Sequence, residues 1–209
     1  KNIELGYGCD AIIAEIPGVP DPRGETGIPL VAFLTLNKPF AYMLTAWRNP
    51  AEPARLSDLE NHLKIALQYG GHADLSIPMG EFIPEKSATY VAYKPLFDAI
   101  IGKKWVFTPH ALTLPEGVEG NVFVLPDGSY TVILLDYSAA LLRPDTPVRK
   151  DLVLHLRVDD PETVRHIDYR CVDGRVNAFG VTTTVAAGEL VIHIPEFRVA
   201  ASLKLIPAP

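Results

Sequence analysis

Several things are missing from this chain. No window reaches 18 uncharged apolar residues, which excludes a membrane-spanning helix and argues against a membrane partner. Basic residues number 19 against 25 acidic ones, for a formal net charge of −6. No block of Lys and Arg interleaves with aromatics, so no nucleic-acid footprint is present. Cysteine is scarce. Cys9 and Cys171 are the two, with no C-x-x-C, which is too few for a zinc site or a disulfide framework. They read as buried free thiols, with a bond between them as the alternative. No G-x-S-x-G and no H-E-x-x-H occurs, which leaves a serine esterase of that type and a zincin unsupported. No metal-ligand spacing and no cofactor motif stands out. Gly6-x-Gly8-x-x-Ala11 looks like a dinucleotide fingerprint but precedes a strand rather than following one. Internal repeats and low-complexity tracts are absent.

Proline, in contrast, is plentiful. Nineteen are spread along the 209 residues, which predicts many loops and short strands. The chain opens at Lys1 without Met and without a signal-peptide pattern.

The two halves have different periods. In residues 1–104 short apolar runs alternate with helical patterns. Cys9–Ile16, closed by Pro17-Gly18, and Phe40–Ala46, closed by Trp47-Arg48-Asn49-Pro50, read as strands buried on both faces. Asp21–Gly27 is a polar loop, and Ile28–Leu36 is apolar without a deciding period. Ser57-Asp58-Leu59-Glu60 is a capping box that predicts a helix, with Leu56, Leu59, Leu63, Ala66 and Leu67 on one face and Gly70-Gly71 as its stop. His72–Ile77 is a third run. Tyr93, Leu96, Phe97, Ile100 and Ile101 mark a second helix, which Pro95 starts or kinks. Strands alternating with helices predict βα units and a parallel sheet.

Residues 105–209 are strand-like throughout. Asn121–Leu125 and Tyr130–Asp136 flank Pro126-Asp127-Gly128-Ser129, a hairpin signal. Apolar residues alternate through Leu152–Val158, Ile167–Cys171, Val181–Val185, Leu190–Ile194 and Val199–Leu205. Turn residues recur every 8–15 positions, which predicts an antiparallel β-sandwich of seven or eight strands. His155, His166 and His193 alternate with the apolar positions and belong to the solvent face.

This arrangement resembles the tail of a (β/α)8-barrel glycoside hydrolase with its C-terminal sandwich. The resemblance is carried by Glu60-Asn61-His62-Leu63 through Gln68-Tyr69-Gly70, the Ala73–Pro78 strand and Tyr93-Lys94-Pro95-Leu96-Phe97. Gly102-Lys103-Lys104-Trp105, the crossing at Trp105–Leu114 and the closing pattern Leu190–Pro195 to Leu205 continue it. Both α-galactosidase-like enzymes and barrel-type sialidases are similar. The resemblance implies a fold class of α/β plus all-β: a partial barrel of about three βα units in residues 1–104, then a sandwich in 105–209. A closed barrel needs about 250 residues. The expectation is therefore the C-terminal portion of a larger enzyme, with the N-terminal barrel segment of the same enzyme and a carbohydrate as partners. The missing initial Met fits that expectation.

Barrel enzymes place their sites where strands end. Glu15 closes the first run, where a carboxylate serves as general acid or sugar ligand; the alternative is a solvent-facing Glu paired with Arg23. Asp21 and Arg23 follow it as substrate-binding candidates. Trp47, Arg48 and Asn49 follow the second run: an indole face for a sugar ring, and groups that hydrogen-bond hydroxyls or a carboxylate. The alternative for Trp47 is a lid over the barrel end. His72 and Asp74 share a strand face, but His72 follows a Gly-Gly turn at the wrong strand end for an acid–base pair. The function implied is cleavage of a terminal sugar by a glycoside hydrolase whose catalytic residues lie largely upstream. The alternative is a non-catalytic carbohydrate-binding or structural module. A closed fold within the 209 residues would favour that alternative.

Overall fold

The computed structural model describes residues 11–17, 38–45, 56–76, 84–141, 145–174 and 180–208. The chain divides into two compact units, residues 1–91 and 92–209.

The first unit holds a three-stranded parallel sheet in the order β1 (Ile12–Pro17), β2 (Phe40–Thr45), β3 (His72–Ser76). Helix α1 (Leu56–Gln68) carries the chain from β2 to β3 and lies against both. A parallel pair needs such a crossover, because the end of one strand and the start of the next lie at opposite ends of the sheet's strands. The predicted stop of α1 is realised in detail. Gly70 adopts φ +66°, its N–H bonds Leu67 O at 3.1 Å, and Gly71 N–H bonds Ala66 O at 2.7 Å. That is a Schellman closure, which satisfies two carbonyls the helix cannot. The start differs from the capping-box prediction: the helix begins at Leu56, so Ser57 falls inside the first turn instead of flanking it.

The predicted one-sided apolar stripe is also too narrow. Leu59, Leu63, Ile65, Ala66 and Leu67 are buried, but so are Glu60, His62 and Lys64. The ionic residues tolerate this because they are four apart and mutually placed, with Lys64 Nζ 4.0 Å from Glu60 Oε1.

Helix α2 (Pro84–Asp98) spans the division between the units. It starts at Pro84, where the missing N–H costs nothing, and it runs through Pro95. Residues 92–104, grouped with the first half on sequence, cluster with the second unit. One tie is the Thr131 hydroxyl, which donates to Ala99 O at 3.0 Å.

The second unit contains two antiparallel sheets. One is ordered β10 (Thr182–Ala186), β11 (Glu189–Phe197), β8 (Arg149–Leu156), β5 (Leu112–Thr113). The other runs β4 (Lys104–Trp105), β6 (Glu119–Val124), β7 (Tyr130–Leu135), β12 (Ala200–Pro207), β9 (Val164–Cys171). Among the described residues nine strands form where seven or eight are predicted, because two-residue β4 and β5 are too short to carry alternation. The β6–β7 hairpin closes as expected: Leu125 N–H bonds Ser129 O at 2.8 Å, with Gly128 at φ +80°. Leu152, Leu154, Leu156, Leu190, Ile192 and Ile194 are buried on alternate positions of β8 and β11. In the other sheet Val122, Val132, Leu203 and Tyr169 share one register row and are all buried. The Tyr169 hydroxyl donates to Glu196 O at 3.1 Å, joining a strand of one sheet to a strand of the other.

Candidate functional site

The register of the parallel sheet sorts its residues into two sets. One set of rows is Ile12–Phe40, Ala14–Tyr42–Ala73 and Ile16–Leu44–Leu75. The other is Ile13–Ala41–His72, Glu15–Met43–Asp74 and Pro17–Thr45–Ser76. Successive residues of a strand belong to opposite faces, so these sets are the two faces of the sheet. The first set is apolar apart from one tyrosine hydroxyl. The second carries His72, Glu15, Asp74, Thr45 and Ser76.

Burial is described at four of these positions, and Ala41 and Ala73, on opposite faces, are both half-buried. Phe40, on the first face, is 1% exposed, and its ring fills the space beside Gly71 where α1 turns into β3. His72, on the second face, is exposed, and Ala41 beside it is half-buried. For the expectation that β1 and β2 are buried on both faces, burial is described only at Phe40 and Ala41 of β2. By residue type alone, one set of rows is apolar and the other carries the polar residues.

Glu15 and Asp74 occupy one row of the second face, separated by Met43. Two strand spacings put their Cα atoms about 9.5 Å apart. His72 sits one row toward the strands' N-terminal ends, with Ile13 and Ala41. The sequence argument that set His72 aside therefore does not extend to Asp74, which the register joins to Glu15. The signal was present in the alternation of His72-Ala73-Asp74, but only the strand pairing connects it to another carboxylate. Asp21, Arg23, Trp47, Arg48 and Asn49 lie outside the described residues. Among the described residues, no group of three or more His, Cys, Asp and Glu is placed to hold a metal ion.

The second unit's charged clusters stabilise turns. Asp136, 1% exposed, accepts from Ser138 N–H at 2.8 Å, the Ser138 hydroxyl at 2.6 Å and Arg149 Nε at 2.5 Å. Burial opposes its ionisation, but these hydrogen bonds outweigh burial and hold the carboxyl below its usual range. Arg149 also donates to Glu116 O and Gly117 O, tying the turn before β6 to β8. On the open face of β8 and β11, Glu189 accepts from Arg157 Nε at 2.6 Å and lies 3.4 Å from His155 Nδ1. The Arg157 hydrogen bond lowers the Glu189 carboxyl's pKa. Cys171 is buried, its Sγ–H directed at Arg198 O at 3.1 Å, and burial pushes the thiol up to about 11. That makes it inert at neutral pH.

The fold is glycoside-hydrolase-like. The chain is similar to alpha-galactosidase I from Mortierella vinacea, with TM-score 0.50 and 11% identity over 98% of this chain and 55% of that one. Also similar are a cycloisomaltooligosaccharide glucanotransferase from Paenibacillus sp. and a family 30 subfamily 8 xylanase from Clostridium acetobutylicum. The glucanotransferase matches with TM-score 0.45 and 12% identity, over 69% of this chain and 27% of that one. For the xylanase the values are 0.43 and 10%, over 97% and 57%. The fold likeness rests on the first of these. The chain spans about half the length of the alpha-galactosidase and about a quarter of the glucanotransferase. No protein-family profile and no curated protein sequence matches it.

Proposed function

We propose that this chain forms part of a glycoside hydrolase that removes a terminal sugar, of α-galactosidase or sialidase type. In this reading residues 1–104 are the last βα units of a (β/α)8 barrel and 105–209 an antiparallel β-sandwich. The observation that carries the reading is the shared row of Glu15 and Asp74 on the polar face of the parallel sheet. Glycoside hydrolysis of the α-galactosidase kind uses two carboxyl groups flanking the scissile bond, whereas a sialidase would use a tyrosine in place of one of them. Glu15 serves as the acid that protonates the leaving oxygen. Asp74 serves the anomeric carbon, either by direct attack or by activating water. The opposite, apolar face suits the helices that surround a barrel. Trp47 and Asn49 follow β2, where its C-terminal end delivers them to the sugar, Trp47 as a platform and Asn49 as donor and acceptor to a hydroxyl pair. Asp21, Arg23 and Arg48 complete the binding set. The remainder of the enzyme supplies the other barrel strands.

The test uses the full polypeptide that carries this chain, assayed on aryl glycosides with good and poor leaving groups. Glu15→Gln is expected to lose at least about 100-fold on poor leaving groups, the scale of general acid catalysis, while keeping most activity on dinitrophenyl glycosides. Asp74→Asn is expected to lose both. Asn49→Ala should lower kcat/KM about tenfold, or roughly 1.4 kcal/mol. Wild-type kinetics in both carboxyl variants would overturn the assignment.

A further inference from the structure

Lys103 stands apart from the chain's other described lysines. It lies in the turn between α2 and β4, and only 8% of it is exposed. Its Nζ lies 5.8 Å from the ring of Trp105 on β4 and 5.8 Å from the ring of Phe123 on β6. Those two rings meet edge to face, with centroids 5.4 Å apart, and form an apolar wall. Lys64 is also buried, but it has Glu60 four residues away. Lys94 pairs with Asp98 at 2.6 Å and Lys204 with Asp127 at 2.8 Å. Among the described residues no carboxylate forms an ion pair with Lys103. The neighbours that face it from β4 and β6 are uncharged rings, and Lys104, next in the chain, is exposed.

A desolvated ammonium without a counter-ion favours its neutral form, and burial lowers the Lys103 pKa with no charge contributing. The two rings recover part of the lost hydration, but 5.8 Å is near the outer limit of about 6 Å for that attraction. Nor is the amine sealed. The described polar atoms that are both fully enclosed and without a hydrogen bond lie elsewhere, such as Asp168 Oδ1 and Arg198 Nε.

We propose that Lys103 is a covalent modification site, an amine that small carbonyl electrophiles of the isocyanate and activated-acyl class capture ahead of the paired and exposed lysines. With isocyanic acid the Nζ lone pair adds to the central carbon. The C=N π pair moves to nitrogen and takes up the proton that the amine sheds. A urea results, with no leaving group and no redox change. Cyanate is small enough to reach a nitrogen that bulkier reagents reach less well. The site needs no contribution from the polar face of the parallel sheet, so its fate is independent of the hydrolase reading.

The probe is isotopically labelled cyanate at sub-saturating dose, with occupancy at each lysine read by peptide mass spectrometry from pH 6 to 10. Lys103 is expected to react at least tenfold faster than Lys94, Lys104 and Lys150 near pH 7, and its rate should begin to fall at lower pH than theirs, because isocyanic acid declines with pH once the amine is fully neutral. In guanidinium chloride the difference should vanish, because it arises from the fold. Lys103→Arg keeps the cation beside the rings, and should remove the fast phase of labelling while leaving the melting temperature unchanged. Labelling of Lys103 no faster than of Lys94 in the folded protein would overturn the proposal. So would a fast phase that survives in Lys103→Arg.

Discussion

Asp136 shows how one residue can organise a turn and make it sensitive to acid. Its carboxylate gathers Ser138 and Arg149, and Arg149 in turn holds the carbonyls of residues 116 and 117. Hydrogen bonds to a charged group contribute about 1.5–3 kcal/mol each at most, and Arg149 is about one-third exposed. Asp136→Asn should therefore destabilise the second unit by about 2 kcal/mol at pH 7. Because the folded carboxyl has a depressed pKa, its contribution is present above the unfolded value near 3.9 and is lost as pH falls through the folded one. The gap between wild-type and variant melting temperatures should shrink below about pH 4. A gap that stays constant down to pH 2 would show that Asp136 acts by shape rather than charge. None of this is legible in the sequence, where Asp136 reads as the last residue of a strand and Arg149 lies thirteen positions away. Val199 is similarly opaque. It turns the corner between β11 and β12 at φ +65°, a left-handed conformation that a β-branched side chain ordinarily avoids.

Among the elements, those with a strong local signature were the readable ones. The αL glycine that ends α1, the β6–β7 hairpin and the alternation along β8 and β11 all follow from residue type and spacing, whereas β12, where 200–203 are buried in succession, departs from the alternation expected of it. The two faces of β1 and β2 did not, because Ile-Ile-Ala-Glu-Ile and Phe-Ala-Tyr-Met-Leu contain too few polar residues to show alternation within one strand. Only pairing with β3 makes the row visible. Closeness between elements is also set by what is absent. A Cβ on Gly71 would stand 2.6 Å from both Cε2 and Cζ of Phe40, which is itself buried. Gly71→Ala should cost about 1–3 kcal/mol through overpacking, and Phe40→Leu in the same chain should return part of it by freeing the ring's volume. Additive losses in that double variant, read from chemical denaturation, would show that the clash is not what matters.

For the molecule as a whole, the parallel sheet carries a prediction of its own. Among the described residues β1 and β3 are edges, each with a row of backbone groups that no neighbouring strand takes up. In the hydrolase reading the remaining barrel strands cover them. The chain expressed alone is therefore expected to self-associate in sedimentation velocity experiments. A monomer with one sharp, cooperative melt would favour the self-contained module instead.

The contrast between crossover and hairpin connections also sets an order in time. β6 and β7 meet across five residues and β10 and β11 across two, so their loops close early and at little entropic cost. The β1–β2 and β2–β3 pairs must first bring distant stretches of chain together, and non-local contacts slow a search. During refolding the hairpin amides should gain protection against deuterium exchange first. At equilibrium the amides joining β1 to β2 should be the earliest to open. Pulse-labelling that protects β2 before β7 would reverse this order, and would mean that the carboxylate-bearing sheet assembles without waiting for the rest.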